Sequence, residues 1–179
     1  MKKILLAVLL IFIFAISTGL AYGETKMYLH LSSIDGESES NDYLGWIDIT
    51  AWSWDINNSS EDLSHPGAKS ATPDVGPIYV QKYVDLASPF LFYNALTGAF
   101  IAEAIIALVI EDYYEGLDHE IVKITMNNVR IINIHSGDES SDGIPMESVA
   151  MDFSKVCYTY SVEPSDAITR CWDIDERKK

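Results

Sequence analysis

Gly143-Ile-Pro-Met-Glu-Ser-Val-Ala-Met-Asp-Phe-Ser-Lys-Val-Cys-Tyr-Thr-Tyr160 changes the face of its apolar residues part-way along. Val149, Met151 and Phe153 alternate with Ala150, Asp152 and Ser154, the two-residue period of a half-buried strand. Beyond Lys155 the apolar positions are Val156, Tyr158 and Tyr160, on the other parity. A slip of one residue turns every side chain to the opposite face, so one unbroken strand cannot bury both halves. The spacing predicts a β-bulge near Ser154 and Lys155 that re-aims the strand.

Working outward, the two cysteines of the chain are Cys157 and Cys171. Their midpoint, residue 164, lies in Glu163-Pro-Ser165, a turn-like sequence between two strand-like runs. A hairpin folded there sets Cys157 directly across from Cys171. Non-hydrogen-bonded cross-strand neighbours lie about 4.5 Å apart at Cα, at the lower end of disulfide reach. A Cys157–Cys171 bridge is therefore expected in an oxidising compartment.

Further upstream the pattern is again of strands. Met27, Leu29 and Leu31 share one parity, with Tyr28 and His30 on the other. Residues 46–56 read as a second strand, with Trp46, Trp52 and Trp54 on one face, where core or subunit packing is expected. Residues 77–85, 100–114, 119–135, 145–162 and 167–174 read as further strands. Within 119–135, Val122, Ile124 and Met126 share a parity that Val129 and Ile131 leave. Residues 35–42, 57–76 and 137–143 are polar loops. One short α-helix is expected near 89–97, with Ser88 as N-cap, Pro89 in the first turn and Gly98 as the terminating glycine. The fold class is mainly β, a closed or nearly closed antiparallel β-barrel of two packed sheets carrying that helix.

Residues 1–21 have the order of a secretory signal peptide: Lys2 and Lys3, an apolar run to Ile16, and a small-residue exit through Ser17 to Ala21. Residues 22–179 are then a single exported domain, periplasmic or extracellular, long enough to bury one core. Of 12 basic residues two lie in the signal, leaving 10 against 27 acidic ones, a net of −17. Such a surface repels phosphates and anionic headgroups, which argues against nucleic-acid or membrane binding after signal cleavage. Residues 90–110 are apolar enough to suggest a membrane span, but Asn94 and Glu103 interrupt them and Gly98 cuts them in two.

Nothing in the sequence points to chemistry. His30, His65, His119 and His135 lack metal-ligand spacing, and no nucleotide or nucleophile motif is present. Glu111 and Asp112 are adjacent, hence on opposite strand faces, and the acidic stretch from Asp138 to Asp142 lacks a full calcium ladder. The expectation is a binding or structural protein, not an enzyme, with no cofactor and no metal.

Several blocks together resemble the Hcp family (haemolysin-coregulated proteins), the tube subunits of type VI secretion. The opening stretch is similar to that family's "PMESVSLNFAKI…Y" strand, and Gly45 to Trp54 to its "IEVLSWSW" strand. The run from Val80 to Leu91 resembles its "K.xD.ASP.L" junction, Ile121 to Ile131 its "YLKITLEDVLI" strand, and Cys171-Trp-Asp173 its terminal "GWD". The resemblance implies a self-assembling subunit forming hexameric rings that stack and carry passenger proteins. Its partners would be other copies and type VI spike or effector proteins. Asp35, Gly36, Glu37 and Ser38 match the start of the family's ring-stacking loop. Ordinary members carry no amino-terminal signal, and a glycine usually stands where this chain has Cys171, so signal and bridge together mark an exported branch. The alternative is a monomeric exported ligand- or protein-binding β-barrel that has lost tube assembly, with the tryptophans as its site.

Overall fold

A computed structural model describes residues 24–58, 73–111, 118–139, 143–161 and 166–176. The segment read as a signal, most of the 57–76 loop and the 163–165 turn lie outside the described residues. The elements are β1 (Thr25–Leu31), β2 (Ile47–Asp48), β3 (Ala51–Asn57), β4 (Asp74–Tyr83), α1 (Ser88–Thr97), β5 (Phe100–Glu111), β6 (Asp118–Glu139), β7 (Pro145–Asp152), β8 (Lys155–Tyr160) and β9 (Ile168–Asp173). All ladders are antiparallel, in the order β2-β1-β5-β6-β7-β4-β3, with β8 against β6 and β9 against β8. The chain is thus mainly β with one helix of any length among the described residues.

The barrel is nearly closed, by a chain link and not by a ladder. The two ends of the sheet path, β2 and β3, are consecutive in sequence. Between them the Ile49 N–H donates to the Met27 carbonyl at 3.0 Å, and the Thr50 N–H to the Gln81 carbonyl at 2.8 Å. This is also where the expected single strand over 46–56 is corrected. It breaks at residues 49–50, so its first part bonds β1 and its second part β4. The three tryptophans consequently do not share one face. Trp52 and Trp54 pack on the main core, whereas Trp46 packs on a separate cluster with Tyr28 and Tyr43.

The parity change in 145–160 is real, but its cause is not a bulge. β7 and β8 lie along the same side of β6, with Arg130 opposite Asp152 and Asn127 opposite Lys155. Both strands therefore spend the same number of residues across the gap, whereas a bulge sets two residues against one. The feature is a crease that crosses three strands in one row. Residues 102–103, 127–128 and 154–155 are successive non-core positions, flanked by buried Ile101 and Ala104, Met126 and Val129, and Phe153 and Val156. Asn128 makes the turn with φ 52°, a left-handed conformation that asparagine tolerates better than most residues. Its amide donates to the Ser154 hydroxyl at 2.9 Å, and the Ser154 N–H donates to the Asn127 carbonyl at 3.1 Å.

Bulges do occur elsewhere on β6, opposite β7, where the ladder skips Ile132 and Gly137. Gly137, with φ 124°, continues the strand at the position read as the start of an acidic loop. The helix also differs at its start. Ala87, not Ser88, is the capping residue, and no side chain caps it. The Asp85 carboxylate instead accepts from the Ala87 N–H at 2.8 Å. Gly98 ends the helix as expected, at φ 64°, with its N–H donating to the Asn94 carbonyl. Cys157 and Cys171 stand directly opposite in the β8–β9 ladder and form the disulfide, their Cα atoms 4.0 Å apart.

The core lies within the barrel, with Leu29, Ile78, Ile106, Ile124 and Met151 fully buried. Each such side chain contributes roughly 1.5–3 kcal/mol on leaving water.

Candidate functional site

Two charged residues occupy inward positions in the middle of this apolar pattern. On β4 the buried positions alternate as Ile78, Val80 and Lys82; on β7 they run Glu147, Val149 and Met151. The ladder sets Lys82 directly opposite Glu147. Lys82 is 0 % exposed and Glu147 4 %. The three N–H bonds of the Lys82 ammonium are shared among four acceptors, Glu147 Oε1 at 2.9 Å, Asp85 Oδ1 at 2.7 Å, the Tyr83 carbonyl at 2.7 Å and the Ser88 hydroxyl at 3.1 Å. Ser88 donates to Glu147 Oε1 at 2.6 Å and accepts from the Asp85 N–H at 3.0 Å. The Ser136 hydroxyl donates to Glu147 Oε2 at 3.3 Å.

This cluster ties β4, β6, β7 and the first turn of α1 to one buried cation. A buried ion pair with its remaining lone pairs satisfied specifies a unique packing more than it adds stability. Here it fixes where α1 sits on the barrel. Sequence reading treats 80–91 as a strand-to-helix junction and does not single out Lys82 or Glu147. The signal was available: each charge falls on the buried parity of its strand, where a charged residue has to find a partner.

Of the loop residues matched by resemblance, Asp35 and Glu37 are exposed, Gly36 is half-buried and Ser38 is buried. The loop is folded back as a narrow hairpin. The Gly36 N–H donates to the Gly45 carbonyl at 2.8 Å, the Ser38 N–H to the Trp46 carbonyl at 2.9 Å, and the Gly45 N–H to the Ser38 carbonyl at 2.9 Å. An aromatic block lies beneath it. Tyr28 and Tyr43 stack with centroids 4.3 Å apart, Trp46 meets the Tyr43 ring edge-on at 5.0 Å, and His30 tilts against Trp46 at 5.0 Å. Gly36 and Ser38 thus hold the path of the loop, while Asp35 and Glu37 present their carboxylates outward.

A Cβ at Gly36 would overlap the Trp46 carbonyl and the backbone of Ile47, which cannot move without leaving β2. Gly36→Ala is expected to destabilise the protein by about 1–3 kcal/mol and to expose residues 35–45 to protease. Urea denaturation and limited proteolysis check this; an unchanged cleavage rate would contradict it.

Beside the loop lies an open groove of about 920 Å³, with Glu24, Glu39, Asp42 and Asp48 on its walls together with Lys26. Its carboxylates disfavour an anionic ligand. Among the described residues no three His, Cys, Asp or Glu side chains converge on a point that could hold a metal ion.

The family described as "Type VI secretion system effector, Hcp" matches residues 28–160. The chain belongs to the Hcp family. The match takes in the loop, the buried cluster and the crease, from β1 to β8. Among Hcp relatives, Protein hcp1 of Pseudomonas aeruginosa is 24 % identical over 140 residues, covering 78 % of this chain and 85 % of that one. The crystal structure of Hcp1 from Salmonella typhimurium superimposes with a TM-score of 0.69 at 24 % identity, over 85 % of this chain and 96 % of that one. A type VI secretion system effector from Yersinia pestis superimposes with a TM-score of 0.66 at 23 % identity, over 82 % of this chain and 98 % of that one. Two of the sequence blocks that resemble the family, 80–91 and 143–160, meet physically at Lys82 and Glu147. The β8–β9 disulfide lies at the carboxy-terminal edge of the Hcp barrel. No helix among the described residues is long and apolar enough to cross a membrane.

Proposed function

We propose that this Hcp-family chain is a structural subunit that self-assembles into hexameric rings, works after export through its amino-terminal signal, and catalyses no reaction. Residues 1–21 would direct export, residues 22–179 would form the mature domain, and the protein would act in the periplasm or outside the cell. Rings would stack through Asp35 and Glu37, on the loop that Gly36 and Ser38 hold in place, and the lumen would take passenger proteins. The observation that carries this reading is the extent of the family match, which runs through the barrel from residue 28 to residue 160 and is not confined to one motif. A disulfide in place between β8 and β9 supports an oxidising destination.

The acidic balance of the chain, a formal net charge of −15 over its 179 residues, sets a condition on stacking. Like-charged rings repel over a Debye length of about 10 Å at 0.1 M salt and about 3 Å at 1 M. Assembly is therefore expected to shift to larger species as salt is raised. Size-exclusion profiles across a salt series test this, and profiles that do not move from low to high salt would count against stacking.

A further inference from the structure

A pocket of about 310 Å³ opens where the crease meets the residues that follow β9. Its walls come from separate segments: the start of β4, the start of β5, β6 beside Asn128, and the link from β7 to β8. The floor is apolar, with Phe153 5 % exposed and Ile174 packed on the core. The Ile174 N–H donates to the Ser154 carbonyl at 2.8 Å, which fixes that wall. Asn128, bonded to the Ser154 hydroxyl, holds its left-handed φ here, and sparsely populated conformations of this kind gather at ligand sites. Ligand pockets run from about 300 to 1,000 Å³, so this one suits a molecule of amino-acid size.

The polar groups are of both signs. Arg130 on β6 stands between Phe100 on β5 and Asp152 on β7, a row across three adjacent strands on the parity that faces away from the core. The guanidinium lies 5.0 Å over the Phe100 ring. Among the described residues it makes no ion pair, although Asp152 is its cross-strand neighbour. A guanidinium laid flat on an aromatic ring keeps the N–H fork at its edge open to a planar anion.

Asp74, Asp152 and Asp175 line the same pocket, which therefore sets one cation among three carboxylates. That balance repels a phosphate or a dicarboxylate. A molecule with one carboxylate and two ammonium groups matches it in sign, group for group.

We propose that this pocket binds a basic α-amino acid, its carboxylate on the Arg130 guanidinium and its ammonium groups on Asp152, Asp74 and Asp175. The bidentate fit of a guanidinium to a carboxylate fixes one end of the ligand. Phe153 and Ile174 pack against its aliphatic stem. A peptide that ends in lysine carries the same carboxylate and side-chain ammonium, and the test separates the two sources. The site is formed by one chain and does not depend on the ring reading.

The test titrates the exported, disulfide-bonded protein with L-lysine and with Gly-Gly-Lys, read by calorimetry and by amide chemical shifts. Saturable binding is expected, with shifts centred on residues 128–130, 152–154 and 174–175. Binding of L-lysine alone assigns a free amino acid, and binding of Gly-Gly-Lys assigns a peptide end. An acidic protein attracts any cation, and a variant separates that attraction from a site. Arg130→Gln makes the chain more acidic, so diffuse attraction would hold L-lysine as well or better. The pocket predicts the reverse, a loss of about tenfold or more, the worth of a hydrogen bond to a charged group. Asp152→Asn is expected to weaken L-lysine similarly. L-Lysinamide, which lacks the carboxylate, is expected to bind more weakly than L-lysine and to be indifferent to Arg130→Gln. Neither probe saturating, shifts centred elsewhere, or L-lysine binding that Arg130→Gln leaves unchanged would overturn the proposal. Arg130 is exposed, so its variant is expected to keep the wild-type spectrum. Should it not, the wild type decides alone: L-lysinamide binding as tightly as L-lysine would overturn the site.

Discussion

Lys82→Met is expected to destabilise the protein by about 3–5 kcal/mol, the cost of leaving buried charge without its counter-ion. The methionine fills most of the volume, so the loss is electrostatic. Glu147 would keep its carboxylate at 4 % exposure with no cation, and Asp85 Oδ1 would lose its 2.7 Å partner. The first turn of α1 would loosen with them, because Ser88 reaches both Lys82 and Glu147. The double substitution Lys82→Met with Glu147→Met is expected to recover a substantial part of the loss, since both buried charges then leave together. Urea denaturation of the three proteins decides the matter. A single-substitution loss below about 1 kcal/mol, or a double substitution that costs the sum of the two singles, would show that the cluster is not a coupled buried unit.

Removing the Cys157–Cys171 bridge is expected to cost about 3 kcal/mol, the loop-closure figure for a ring of this size, given a sequence separation of 14 residues. The effect should be local as well as global. β9 pairs with β8 alone among the described strands, and it is held to the barrel by that ladder, the disulfide within it, the packing of Trp172 and the following Ile174 on the core, and the Ile174 N–H donated to the Ser154 carbonyl at 2.8 Å. In the double Cys→Ser variant, amide hydrogen exchange should accelerate first over residues 168–173, before β5 and β6 show any change. Reductant should bring the wild type to the same profile and leave the variant unaltered. Protection of β9 that survives reduction would mean that the ladder and the anchoring of Trp172 and Ile174 suffice.

The sequence carries the strands, the helix and the cysteine pairing because each depends on local period or simple spacing. The parity change in 145–160 was legible for the same reason. Its nature was not: whether two strands shift together or one carries an extra residue depends on the partner, and Asn128 lies far away in sequence. The matching change between Met126 and Val129 was nevertheless visible, and the two belong to one crease. The tryptophan strand failed where parity was carried through residues 49–50, at which the chain leaves one neighbour for another. Period alone cannot register a change of neighbour. Ser88 has the composition of a cap, yet its hydroxyl is claimed by Lys82 and Glu147, a tertiary demand stronger than the local one. The candidate site was legible in part. The loop residues came from resemblance, whereas the charges of Lys82 and Glu147 at inward positions were present in the sequence and unread.

The central claim is that this Hcp-family chain assembles, and the native mass of the exported, disulfide-bonded protein tests it most directly. Light scattering at high salt is expected to give one discrete species at six times the subunit mass, or stacks in multiples of six. A species at the mass of one subunit, at every salt and concentration, would contradict the account.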